Sequence, residues 1–402
     1  MTSLLHRSVW VALRVTIAGA FCLGIWSSWH FARADYLGQQ DSEESIRSAI
    51  RLEPDGWEYY LRLSQFDRAG SRGLLETSLS LYPYNAQADI ELALRDEGNE
   101  DFPNAERLLL DAYAIDHTWP PRWALANFYF RRDDMPKFWA WARSAAEMPT
   151  DDMGALFDLC WRVSSDPDRI SAAILNDKPE MIRQYIGFLL AKDQLQAVAN
   201  VAPHLVNSGD PETDLPLIFS VVNRLVAAND GDSANALWRQ LIRQRWVEAD
   251  NTLPNNSGFA RKPLPVSFDW SIPVYPGLRS LSGPLGLETE FTGTQPEECY
   301  VAEQAVALTP GSYSMNYAYQ TSDIAPGTGL EWQVIDVRSN TILARSPDLS
   351  SDELKNSAMG FSISPGSSVV LLRLAYRRVL GTPRISGTLT VRSIVIQALK
   401  PS

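Results

Sequence analysis

From Asn85 to Pro149 the chain is written twice on one template, and that repeat restricts the fold more than anything else in the sequence. A shift of 34 residues carries Leu92 onto Ala126, Ala105 onto Trp139 and Ala112 onto Ala146; it also takes the boundary position Pro83 to His117 and on to Asp151. Few residues are identical, but the alternation of small and large side chains persists. The segments ADIELALRDEG and PRWALANFYFRR have apolar residues at helical spacing, as do NAERLLLDAYAID and MPKFWAWARSAAEM, and the intervening NED and DD carry turn signals. Paired helices of this length cannot bury their apolar faces alone, so successive pairs must stack on their neighbours.

The helical pattern extends in both directions. DSEESIRSAIRLEP opens at an N-cap-like Asp41 and places Ile46, Ala49 and Pro54 as in the second helix of a repeat. GWEYYLRLSQFD and GLLETSLSLYPYN form a pair closing at Pro83, 29 residues beyond Pro54, with a trimmed turn near Gly70 and Gly73. After Pro149 the period weakens, although DDMGALFDLCWRV, PEMIRQYIGFLLAKD, QLQAVANVAPHLV, LPLIFSVVNRLVAAN and DSANALWRQLIRQRW keep helical spacing. Ala197 and Ala199 recur as Ala234 and Ala236, an offset of 37, which predicts an α-solenoid running to about Glu248.

Trp123, Phe130, Ala112 and Ala146 stand where the tetratricopeptide repeat has its early aromatic, its tyrosine and its small second-helix residue, so residues 35–250 resemble that family. Asp89 and Asp96 depart from it by occupying aromatic positions of the first copy, and an unrelated helical array is the alternative. The resemblance implies a protein partner in a concave groove, and its register puts Phe128, Arg131 and Arg132 on the inner face of the second copy, to within one position. The plain alternatives are core packing for the aromatics and a solvated helix end for the two arginines.

Before Asp35 the only charged residues are Arg7, Arg14 and Arg33, and residues 9–31 form an apolar run broken only by Arg14. Residues 1–34 therefore read as a cytoplasmic leader and transmembrane anchor, with Arg14 snorkelling inward, Trp26 and Trp29 at the outer interface and the acidic body outside the cytoplasm. The localisation expected is a bacterial inner membrane, crossed once, with a periplasmic body. A competing reading makes residues 15–28 the apolar region of a cleavable signal ending at Ala32-Arg33-Ala34. Phe21 before Cys22 does not fit a lipidated cysteine.

Composition excludes some chemistry. Residues 35–265 hold 23 basic and 36 acidic residues, a balance of -13 within a total of -12, and no basic run exists to neutralise phosphates, so nucleic acid is not an expected partner. Cys22, Cys160 and Cys299 are too scattered for a disulfide framework or a zinc site.

Residues 251–265, NTLPNNSGFARKPLP, read as a linker, and helical spacing ends there. Residues 266–402 break into short alternating segments: VSFDW, GLETEF, YVAEQAVAL, GSYSMNYAYQ, LEWQVIDV, GFSIS, SVVLLRLAYRR and GTLTVRSIVIQA. Their spacing predicts an antiparallel β-sandwich. In GSYSMNYAYQ one face holds Tyr313, Met315, Tyr317 and Tyr319. The order of FDW, a TPGSY turn, GLEWQVID and GTLTVRSIVI resembles jelly-roll carbohydrate-binding modules between Ser257 and Leu399. That resemblance implies sugar rings stacking on exposed aromatics, with Trp270, Tyr317, Tyr319, Trp332, Tyr376 and Arg378 as candidates. The competing reading puts the aromatics in the core and Arg373 and Arg377 on an ordinary solvated face.

Catalysis is not expected. The four histidines, His6, His30, His117 and His204, all precede the sandwich, so no Ser-His-Asp triad or histidine metal site fits there. Glu297 and Glu298 are adjacent and point to opposite faces of a strand, the wrong geometry for a glycosidase pair; Glu288 and Glu290 share a face, as on any exposed edge. No cofactor is implied. The expectation is a non-enzymatic scaffold that docks protein through its repeats and glycan through its sandwich, similar in layout to accessory factors of envelope polysaccharide assembly or export. The alternatives are a purely structural scaffold and a glycan-active enzyme whose carboxylates meet only on folding.

Overall fold

A computed structural model describes residues 2–67, 70–148, 150, 152–175, 178–250 and 252–399, without the side chains of residues 2–9, 11–13 and 15. Helices are followed by two antiparallel sheets, and the chain divides into two compact units, Met1–Ser165 and Asp166–Ser402.

The first unit contains α1 (Thr2–Gly38), α2 (Glu43–Leu52), α3 (Trp57–Phe66), α4 (Ser71–Leu81), α5 (Ala86–Gly98), α6 (Phe102–Ile115), α7 (Trp119–Arg131), α8 (Met135–Ala146) and α9 (Gly154–Val163). The α5/α6 and α7/α8 hairpins are built alike. At each turn one residue takes left-handed backbone, Glu100 (φ 64°) and Asp133 (φ 58°). The next N–H donates five residues back, Asp101 to the Asp96 carbonyl at 2.8 Å and Asp134 to the Tyr129 carbonyl at 3.0 Å. This closes the first helix with a Schellman-type bond. Asp101 and Asp134 then cap the second helix by accepting from the N–H groups of Asn104 and Lys137.

These landmarks lie 33 residues apart, not 34. In the corrected register Leu92 matches Leu125, Ala93 matches Ala126, Ala105 matches Phe138, Leu109 matches Ala142 and Ala112 matches Ala145, all buried. At this offset the counterpart of Asp96 in the second copy is Tyr129, not Phe130. Both residues tie three helices together. Asp96, fully buried, accepts from Arg72 of α4 and Asn104 of α6. Tyr129 donates to Glu106 at 2.7 Å, and Lys137, the counterpart of Asn104, reaches the same carboxylate at 2.9 Å. The Lys137 and Tyr129 hydrogen bonds hold Glu106 below the usual carboxylate range.

The end of α1 serves as the first helix of a hairpin: Ala34 is fully buried in a cluster with Ile46, Ala49, Tyr59 and Leu63. Among the described residues no helix is long and apolar enough to cross a membrane. Much of the first half of the expected 9–31 span has side chains outside the described set.

The second unit begins with α10 (Pro167–Ile174), α11 (Pro179–Ala191), α12 (Leu195–Ser208), α13 (Pro211–Ala227) and α14 (Gly231–Arg243). The left-handed turn recurs at Asp193 and Asn229, 36 residues apart. At that offset Val198 matches Ala234, Val201 matches Leu237 and Leu205 matches Leu241, all buried, which corrects the offset of 37.

The sandwich strands are β1 (Leu278–Gly283), β2 (Gly286–Thr292), β3 (Glu298–Ala307), β4 (Gly311–Ser322), β5 (Leu330–Asp336), β6 (Thr341–Arg345), β7 (Lys355–Ile363), β8 (Val369–Arg377) and β9 (Ser386–Ala398). They form one sheet in the order β1-β2-β9-β4-β7 and another in the order β3-β8-β5-β6. VSFDW is not a strand; only its following Ser271 bridges Glu303, while β1 and β6 had no sequence counterpart.

Residues 252–265 of the expected linker are part of this body. Ile394 and Ile396 of β9 donate to the Ser257 and Leu253 carbonyls at 2.9 and 2.7 Å. Phe259 is fully buried against Trp270, with ring centroids 4.5 Å apart. Polarity misleads here because Asn256 is spent internally: it is buried and bonds the backbone of Arg261 in both directions, at 2.9 and 3.1 Å.

The last helical turn is joined to the sandwich. Asn229 Oδ1 accepts from the N–H groups of Ser368 and Val369, both at 3.1 Å, and its Nδ2 donates to the Gly366 carbonyl at 3.0 Å. Ser368 Oγ donates to the Asn229 carbonyl at 2.6 Å and accepts from the Gly231 N–H at 2.9 Å. A β-carbon on Gly231 would lie 2.5 Å from the Ser368 carbonyl oxygen, which leaves no room for any other residue.

Asp89 of α5 supplies a pH test of the first unit. Burial, aided by Asp111 and opposed by Arg107, pushes its carboxyl up to about 6. A carboxyl raised on folding favours the protonated native state, so stability falls as pH rises from about 4 to above 6. Asp89→Asn should raise stability at pH 7.5 by roughly 1–3 kcal/mol and flatten that fall, as read by urea unfolding of the full chain in detergent.

Candidate functional site

The structure places five of the six glycan candidates in the core. Trp332 and Tyr376 are fully buried, Trp270 is 1% exposed, Tyr319 2% and Tyr317 3%. Their rings pack across the two sheets: Tyr317 meets Trp332 at 6.5 Å and Phe291 meets Tyr376 at 6.1 Å between centroids. The tyrosine face of β4 is therefore the inward face, and none of these rings can stack on a sugar. Arg378 is at the surface, but its Nη1 is paired with Glu297 at 2.7 Å and its Nε donates to the Thr382 carbonyl at 2.7 Å.

The residues expected in the helical groove separate as well. Phe128 is 2% exposed, a consequence of the one-residue register shift. Arg131 is exposed and forks onto Glu97 of α5 with bonds of 2.7 and 2.6 Å, while Arg132 lies 3.7 Å above the Phe102 ring. Both arginines are occupied in linking adjacent hairpins.

What remains open is the outer face of the four-stranded sheet. Because β8 alternates, burying Leu372, Leu374 and Tyr376 turns Arg373, Ala375 and Arg377 outward. Register then builds two rows across the strands: Glu303, Arg373, Gln333 and Arg345 in one, Tyr300, Ala375 and Glu331 in the other. Arg373 donates to Glu303 through Nε at 2.9 Å and sits 5.2 Å above the Tyr300 ring. Tyr275 meets Tyr300 edge-on at 6.3 Å. Gln333 Nε2 donates to Glu331 at 2.7 Å, and Arg345 pairs with the same carboxylate.

A bulge between Tyr300 and Ala302 produces this face. It sends Val301 and Ala302 both inward, and so sets Tyr300 and Glu303, three residues apart, on the same outer surface. Strict alternation along YVAEQAVAL cannot place that pair together, which is why sequence reasoning missed Tyr300. The arrangement offers half-buried rings over a small Ala375 floor, beside guanidinium, amide and carboxylate groups held in fixed directions. This is the chemistry of a polyhydroxyl binding face.

Acid catalysis is poorly served by the same surface. Glu303, Glu331 and Glu297 are each paired with arginine, and hydrogen bonds from Arg378 and Arg384 hold Glu297 below the usual range. Burial raises Asp269, but it is only 2% exposed and accepts from the N–H of Leu264. Among the described residues no group of three or more His, Cys, Asp or Glu could hold a metal ion.

No protein family and no curated protein matches the chain. Solved structures do, at low similarity. One is TmCBM61 in complex with beta-1,4-galactotriose, at 12% identity and TM-score 0.26 over 37% of this chain and 100% of that one. Another is the CBM22-1 xylan-binding domain of Paenibacillus barcinonensis Xyn10C, at 11% identity and TM-score 0.24 over 36% and 94%. A third is pilF of Pseudomonas aeruginosa, at 14% identity and TM-score 0.25 over 54% and 90%. Scores this low say nothing about ligand, which must be read from this chain's own residues.

Removing a core ring should unfold the sandwich rather than clear a binding platform. Trp332→Ala and Tyr376→Ala should each cost about 3–5 kcal/mol in denaturant unfolding, visible with no ligand present.

Proposed function

We propose that the protein is a non-enzymatic, membrane-tethered adaptor, with helical hairpins that dock a protein partner and a sandwich that engages neutral glycan on the outer face of its four-stranded sheet. The observation that carries the glycan reading is the juxtaposition of Tyr275 and Tyr300 with the Arg373–Glu303 and Arg345–Glu331 pairs on one surface. Rings supply apolar contact to a pyranose face, and ion-paired arginines keep donors aimed without needing the ligand to neutralise them. A role in surface polysaccharide assembly or export belongs to this proposal and rests on resemblance of layout alone.

The tether reading is supported by the end of α1. Phe21, Leu23 and Ile25 are 68–69% exposed, and no side chain in residues 16–33 is buried. An apolar helix without protein cover is stable in lipid and costly in water. Ala34, the last residue of the competing cleavage site, is packed inside the first hairpin, which favours retention of α1. The body then lies on the far side of a bacterial inner membrane. An alkaline carbonate wash should leave the chain in the membrane pellet; release into the supernatant would remove the tether.

The rival reading is a scaffold whose sandwich binds no sugar. The two are separated by an array of bacterial and plant polysaccharides probed with the full chain in detergent. Binding that Tyr300→Ala and Arg373→Ala each weaken at least tenfold, with unchanged melting, supports the glycan face. No binding across the array supports the bare scaffold.

A further inference from the structure

A second concave site lies inside the Asp166–Ser402 unit, away from the sheet face. It is a groove of about 770 Å³ between α14, the end of β3 and the segment around Leu253. Its back wall is closed by Trp238 and Phe268, each 6% exposed and packed edge-on at 6.1 Å. The apolar surface left for a ligand is aliphatic: half-buried Ile242 and exposed Leu253, with buried Pro254 behind them.

Three features give the groove a specific chemistry. Arg239 and Arg243, one helical turn apart on α14, both line it and have no ion pair or hydrogen bond among the described residues. The acid in the wall does not neutralise them, because Asp250 is held by Arg261 at 3.0 Å. Asn255, 7% exposed, has an unpartnered Nδ2; its Oδ1 accepts from the Asp250 N–H and from Arg261, which fixes the orientation of the amide.

The third feature is a strand edge. Glu303 and Ala305 donate outward, to Ser271 at 2.9 Å and Ser267 at 2.8 Å, while Leu308 donates inward, to Ser368 of the β8 side at 3.0 Å. By alternation the N–H of Ala307 points outward, into the groove that Ala307 lines. No backbone partner meets it there among the described residues. An edge strand with an open N–H is a template for one more strand.

We infer that this groove binds an extended acidic segment of a partner protein, which adds to the open end of β3 at Ala307 and sets its carboxylates against Arg239 and Arg243. In such a strand every second side chain faces the same way, so acidic and apolar residues in alternation would meet the arginines and the Leu253–Ile242 floor together. A uronate-bearing glycan fits less well, since the groove exposes no aromatic ring and a glycan cannot continue the β-ladder. This site is independent of the glycan face, and its failure leaves that reading untouched.

The test is fluorescence anisotropy of a labelled peptide, Glu-Val-Glu-Val-Glu-Val, with the full chain in detergent at low salt. Saturable binding is expected. It should weaken at least tenfold in an Arg239→Glu/Arg243→Glu variant and in Ala307→Pro, which removes the N–H while leaving the groove charged. A peptide with Lys for Glu should not bind, and Tyr300→Ala should not alter binding. Melting curves confirm that the variants are folded, and Ala307→Gly, which keeps the N–H, should bind as the parent does. Absence of saturation to about 1 mM overturns the proposal, as does binding indifferent to the arginine reversal. Displacement by oligogalacturonate with no effect of Ala307→Pro also overturns it, in favour of an anionic glycan.

Discussion

The side chain of Asn229 stands at a point where two kinds of structure meet. Its backbone takes the left-handed conformation that Glu100, Asp133 and Asp193 take at equivalent turns, where it merely reverses the chain into the next helix. At Asn229 the same turn also presents an amide, and that amide satisfies two donors and one acceptor of the loop leading into β8. Asn tolerates left-handed backbone better than most residues, so the turn and the bond impose no conflict. The absence of a side chain at Gly231 lets the helix start directly against Ser368. A repeat element has thus become an anchor for the sandwich.

The consequences reach both candidate sites. With α13 and α14 held against the sandwich, the edge of β3 runs beside Arg239 and Arg243 and forms a groove neither element could build alone. The loop that Asn229 grips also leads into β8, whose alternation decides which residues face the core. Burying Leu372, Leu374 and Tyr376 obliges Arg373 to face outward, where Glu303 and Tyr300 meet it. The make-up of that outer face therefore depends on phase: a shift of one residue along β8 would hide the arginines and expose the core.

Phase is also what the sequence concealed. The helical hairpins and most of the strands were legible, because helical spacing and alternation in LEWQVID or SVVLLRLAYRR leave little choice of element. The run Phe128-Tyr129-Phe130 offers three consecutive aromatic rings, so its periodicity cannot say which one matches Asp96 of the first copy, and the spacing reads as 34 where the structure has 33. In β4 the tyrosine face admits both a sugar and a core reading; the opposing Trp332, distant in sequence, decides for the core. The bulge at Val301 and the internally bonded NTLPNNSGFARKPLP segment depend on tertiary partners, and local composition gave the opposite impression.

The central claim is that α10–α14 and the sandwich form one cooperative body, joined at Asn229 and Ser368, rather than an array and a module on a linker. Native-state hydrogen exchange of the full chain tests this most directly, by comparing amides of Leu237–Leu241 in α14 with those of Leu372–Tyr376 in β8. The account predicts that both sets exchange through the same opening, with equal dependence on denaturant, and that Asn229→Ala lowers their protection together. Exchange of α14 through a separate, less costly opening while β8 stays protected would contradict it.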